Sequence, residues 1–143
     1  MKNSDDLPRL LEISQTRYDQ QRQAFALIVQ EENRLRAELE KLKGLDQVGS
    51  SDPHEMIKMK SLGADVLWQS WLARSRTTLN IQLARTLALK AHEQDKVRHV
   101  FGKVTALESL IATNMASRQK KARQAIIGRA IDHALFEKSS NAQ

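Results

Sequence analysis

Residues 8–43 read PRLLEISQTRYDQQRQAFALIVQEENRLRAELEKLK, and the spacing of the apolar residues within this stretch decides the fold. Laid on a seven-residue repeat, positions 11, 14, 18, 21, 25, 28, 32, 35, 39 and 42 carry seven apolar side chains: Leu11, Tyr18, Phe25, Ile28, Leu35, Leu39 and Leu42. The exceptions are Ser14, Gln21 and Glu32. An apolar residue every 3.5 positions is the seam by which one helix wraps another. The intervening positions are Gln, Arg and Glu, as a solvated surface requires. Residues 31–43 are rich in strong helix formers, and Pro8 suits a first turn, with Asp6 beside it as a capping acid.

Gly44 supplies the left-handed residue that ends a helix, so the first helix is predicted over 8–43 and a connection over 44–64. Gly49, Ser50, Ser51, Asp52 and Pro53 form the one breaker cluster of the chain. Asp52-Pro53-His54-Glu55 then matches a cap, a proline at the first helical position and a glutamate at the third. A short helix is expected over 53–62, with Met56, Ile57 and Met59 on its apolar face. Gly63 follows, and Asp65 either restarts or continues the helix.

From residue 65 to 137 there is no proline, and only Gly102 and Gly128 weaken the run. One helix of about 73 residues, roughly 110 Å long, is expected there, with Gly102 as the place to bend. Its apolar residues form a stripe closer to a 3.6 than a 3.5 period. They are Trp68, Trp71, Leu72, Leu79, Leu83 and Leu87, then Val97, Val100, Phe101, Val104, Leu107 and Ile111, with a final set at Ile126, Ile127, Ala130, Ile131, Ala134 and Leu135. The first helix, about 54 Å long, covers about half of the second. An all-α, antiparallel two-helix coiled-coil hairpin with a protruding long second helix is therefore favoured over a compact three-helix bundle. Residues 100–135 then call for a partner chain, a fold-back at Gly102, or both.

Composition agrees. Five glycines and two prolines in 143 residues leave too few turns for a sheet sandwich or a doubly wound fold. Six aromatic residues make a core of Leu, Ile, Val and Ala. The absence of cysteine removes a disulfide framework, a thiolate nucleophile and a Cys zinc site. The longest apolar run, Ala24 to Val29, is six residues against the roughly 20 of a membrane span. The start lacks the apolar segment of a signal peptide, so the expected location is the cytoplasm.

Chemistry is sparse. Residues 44–50, GLDQVGS, resemble a phosphate-binding loop only superficially, because its lysine is missing and no strand precedes it; the two glycines suit a turn between helices. No glutamate is followed three positions later by histidine, which excludes the di-iron bundle pattern. His92, Asp95 and His99 share a helix face, but Lys96 and Arg98 crowd those turns with positive charge, and solvated histidines are the expected state. His133, after Asp132, suits the negative end of a helix. No catalytic residue, cofactor or metal is expected, and the chain is read as a non-enzyme.

Charge separates the halves. Residues 1–60 hold ten Lys/Arg and eleven Asp/Glu, whereas residues 61–143 hold thirteen and six, so the whole +6 excess lies in the second half. No acidic residue occurs between Glu108 and Asp132, where Arg118, Lys120, Lys121, Arg123 and Arg129 stand among Ile126, Ile127 and Ile131. Such a segment is either a solvated face or an amphipathic surface for an acidic protein or an anionic membrane. Nucleic acid is the weakest option, for want of stacking aromatics. Both tryptophans, Trp68 and Trp71, fall within four residues. With Leu72 they form either a plug under the connection or an exposed interface anchor.

The length, the heptad helix and the Trp68-Gln-Ser-Trp71 start of the second helix together resemble the FliJ family, flagellar export-ATPase stalk proteins. In that family an aromatic-x-x-aromatic pair followed by helical Leu spacing occurs near the beginning of the second helix, matched here by Trp68, Trp71 and Leu72. The resemblance implies a coiled-coil stalk whose terminal ends enter a hexameric ATPase ring, with the ATPase as the hydrolytic subunit. It further implies that the tryptophan region faces the export gate at the inner membrane and that residues 118–129 enter or line the ring. With Gly44, Gly49 and Pro53 in the connection, the hairpin is expected to be shorter than the family's usual form. The alternative is a basic helical adaptor that binds nucleic acid or an anionic membrane surface through its C-terminal helix. Self-association is compatible with either.

Overall fold

The computed structural model describes residues 6–49 and 53–142. Within them the chain is all-helical, with no strand: α1 spans Leu7–Gly49, α2 Pro53–Leu62 and α3 Ala64–Ser140. The cap and capping glutamate expected at Asp52 and Glu55, and the side chains of Met56 and Met59, lie outside the described residues. No helix is long and apolar enough to cross a membrane, among the described residues.

Helix α1 opens on Asp6, whose carbonyl accepts the Leu10 N–H at 2.9 Å, the first bond of the helical ladder. Contrary to the stop expected at Gly44, α1 continues to Gly49. Glycine in a helix interior costs only about 1 kcal/mol, and the added turns bring Asp46 to Arg76 of α3 at 3.4 Å. A true break falls at Gly63. Its φ of 67° is the left-handed conformation that glycine adopts without steric cost. The Gly63 N–H donates to the Lys60 carbonyl at 3.3 Å, while its own carbonyl accepts the Leu67 N–H. One residue thus closes α2 and opens α3, with Asp65 in the first turn of α3. Gly102 makes no break and no fold-back, because α3 passes through it as helix.

The chain divides into two compact units, one of Asp19–His99 and the other of Met1–Tyr18 with Val100–Gln143. In the first, α1 and α3 pack against each other, and three polar pairs, Gln21 with Glu93, Glu32 with Lys90 and Asp46 with Arg76, run in opposite order along the two helices. On α1 the residues withdrawn from solvent include 21, 25, 28, 32, 35, 39 and 42. Leu35 is completely buried, and Leu42 and Leu72 are buried with it.

The face of α3 in this unit differs from the expected stripe. Trp68, Leu72, Ser75, Leu79, Leu83, Thr86, Lys90, Glu93 and Val97 are buried or half-buried, whereas Trp71 and Leu87 lie exposed on the flank. Steps of three, four and four between Leu72, Ser75, Leu79 and Leu83 insert a stutter into the heptad spacing. From Leu83 the seam steps three and four residues to polar Thr86 and Lys90, so Leu87, one residue past Thr86, falls beside it.

In the second unit, Leu11, Ser14 and Tyr18 of α1 and Val100, Val104, Leu107 and Ile111 of α3 are withdrawn from solvent, and Val104 is buried. The rings of Tyr18 and Phe101 meet at 5.6 Å, although Phe101 lies half-exposed beside the seam rather than within it. Leu7 and Pro8 close against Ile111, Asn114, Met115 and Arg118 around a small cavity of about 140 Å³. From residue 112 to 142 every described residue is exposed.

Candidate partner-binding surfaces

The tryptophans sit one turn apart on α3, and their rings stack at 5.2 Å with an interplanar angle of 24°. They differ in burial. Trp68 is half-buried and Leu72, 2% exposed, belongs to the core, whereas Trp71 is 47% exposed. Trp71 forms one wall of an open groove of about 490 Å³ between α1 and α3, in which Leu42 and Leu79 supply apolar lining and Lys41 and Arg74 supply charge. Glu38, also on the groove, pairs with Arg34 at 2.5 Å. Neither Lys41 nor Arg74 stands out in the sequence; only the pairing of the helices brings them beside Trp71.

The charged layer in the middle of this unit is built from residues the heptad count sets aside as exceptions. Glu32 is 7% exposed, and its two carboxylate oxygens accept from Lys90 Nζ at 2.6 Å and from Arg36 at 2.9 Å. These two cations, Lys90 first, hold the Glu32 carboxyl below the ordinary carboxylate value of 4.5. Glu93 is lowered in the same way, chiefly by Lys96 at 2.7 Å, and it also accepts from Gln21. Glu31 is lowered by its hydrogen bonds from Arg34. Glu32 is visible in the sequence as a polar residue on an apolar seam. Its partner Lys90 follows only from the register.

The second surface is the distal part of α3. Arg118, Lys120, Lys121, Arg123 and Arg129 are all exposed, as are Ile126, Ile127, Ile131, Leu135 and Phe136. Arg118 lies against Leu7 and Pro8 of α1, and the Arg129 guanidinium donates to the Ala125 carbonyl at 3.4 Å. The site residues read from the sequence therefore separate, with Trp68, Trp71 and Leu72 in one unit and the five cations in the other.

Among the described residues no group of three or more His, Cys, Asp or Glu is placed to hold a metal ion. Asp95 pairs loosely with Arg98 at 3.8 Å, and His133 Nδ1 lies 3.7 Å from Glu137, all four side chains being largely exposed. Comparison with known proteins finds no matching family model, no matching curated protein and no matching solved structure.

Proposed function

We propose that this chain is a non-enzymatic stalk or chaperone-like component of a flagellar or related type III export apparatus, acting by contact with the export ATPase ring and the export gate. The matching architecture is an antiparallel two-helix coiled-coil hairpin, closed by a short connection helix. The observation that carries the reading is the distal part of α3. Every residue from 112 to the end of α3 at Ser140 is exposed, and six cations, Arg118, Lys120, Lys121, Arg123, Arg129 and Lys138, stand among them. A second helix this incompletely covered suits insertion into a partner, and a positive segment suits an acidic ring lumen.

The test is co-purification of the full chain with the export ATPase. Charge reversal at Arg118, Lys121 and Arg123 should abolish that contact while helicity is retained. Binding that survives the reversal would remove the basic segment from the ring. Trp71→Ala should leave the ATPase contact intact and weaken engagement of the gate.

A further inference from the structure

We infer that the distal part of α3, residues 112–136, is an interfacial helix for an anionic lipid surface, with its apolar side turned away from the seam that packs on α1. The proposal does not rest on the stalk reading. It begins with direction. At 100° per residue, the centre of Ile126, Ile127, Ala130, Ile131 and Ala134 lies roughly 140° around the helix from that of Val100, Val104, Leu107 and Ile111. Continuing the seam beyond Ile111 in steps of three and four gives Asn114, Arg118 and Lys121. The face that α1 covers upstream therefore carries Arg118 and Lys121 downstream, with Phe136 beyond them, and Ile126, Ile127 and Ile131 have moved to a side for which α1 provides no cover.

Charge then selects the occupant. From residue 109 to 131 the segment carries five cations and no acid. A helical protein partner is normally held in register by charges of both signs along the flanks, and a uniformly positive segment offers no such pattern. A continuous anionic surface needs none. The helix is about 10–12 Å across, comparable with the Debye length of about 10 Å, so the cations on its polar side still feel such a surface. Lys120 and Arg123, on the apolar side, have stems long enough to lie along the isoleucines with their charges at the headgroups. Nucleic acid would use the cations, but it would leave Ile126, Ile127 and Ile131, exposed by 62%, 59% and 54%, without a role.

The experiment is flotation of the full chain with mixed phosphatidylcholine–phosphatidylglycerol vesicles and with pure phosphatidylcholine vesicles, at low and raised salt. Binding is expected to the anionic vesicles alone and to weaken with salt. Removing two charges by Lys121→Gln with Arg123→Gln should weaken it roughly 25-fold, about fivefold per cation. Ile127→Asp with Ile131→Asp should abolish it, and Ile127→Ala with Ile131→Ala should weaken it at unchanged helicity. Equal binding to neutral vesicles, or no binding to anionic ones, overturns the inference. So does capture of a DNA duplex or of polyglutamate that survives the aspartate pair while vesicle binding is absent. Because no ATPase takes part, failure here leaves the stalk reading standing.

Discussion

Replacing Leu35 with alanine probes the packing of α1 on α3 at its best-sealed point. The side chain is completely buried, and the change removes three carbon atoms at about 0.8 kcal/mol each, or about 2.4 kcal/mol of transfer energy. A void in a closed core would add to this. Only two helices meet here, however, so neighbouring side chains can close on the gap, and the expected loss stays at roughly 2–3 kcal/mol. The matched control is Leu27→Ala, in the same helix and unit, where the leucine is 66% exposed. It carries the same change in helix propensity, so the difference between the two variants isolates burial, and the control should cost less than about 0.5 kcal/mol. Urea unfolding followed by far-UV circular dichroism measures both, with the slope expected to stay constant. A loss of roughly 2–3 kcal/mol is a large share of the 5–15 kcal/mol typical of a folded domain. Equal midpoints for the two variants would show that α1 does not bury Leu35 in solution and would refute the packing described here.

Leu72→Ala should cost roughly 2–3 kcal/mol by the same reasoning, whereas Trp71→Ala should cost about 1 kcal/mol or less and leave helicity intact, as urea melts would show. Gly102 is helical and exposed, with nothing within 4 Å of an added Cβ, so Gly102→Ala should stabilise by about 0.8–1 kcal/mol. Gly63→Ala has the same open space but a positive φ, and it should destabilise by roughly 1–2 kcal/mol. In acid, the Glu32 carboxyl is held below 4.5 by Lys90 and Arg36, so the unfolded chain takes up its proton first as pH falls. Its contribution is therefore present above pH 4.5 and is lost as pH drops through the lower folded value. Acid unfolding of Glu32→Gln should show a shallower dependence across that window than the parent.

The seam of α1 was legible because it depends on one helix's own spacing. All ten heptad positions are buried or half-buried, including Ser14, Gln21 and Glu32. What the sequence withheld depends on the partner helix. Gly44 has the chemistry of a helix stop, yet glycine inside a helix costs only about 1 kcal/mol, and α1 runs on to Gly49 with Asp46 reaching Arg76 of α3. On α3, apolar character alone points to Trp71, Leu87 and Phe101, which lie on the flank. It passes over Ser75, Thr86, Lys90 and Glu93, which hold places on the seam. Residue type alone could not separate Trp68 from Trp71; their burial differs because of where α1 passes. The basic segment was legible outright, because net charge along a helix needs no tertiary information.

The Glu32–Lys90 pair also restricts how the two helices can be threaded. Sliding α1 by one heptad in either direction would put Phe25 or Leu39 where Glu32 stands, leaving the Lys90 ammonium facing a hydrocarbon wall. An apolar seam alone tolerates such a slip, since leucine meets leucine again seven residues on. A single charged rung makes the neighbouring alignments unequal. Mis-threaded encounters during folding would thus release and try again, and only the alignment that joins carboxylate to ammonium would persist.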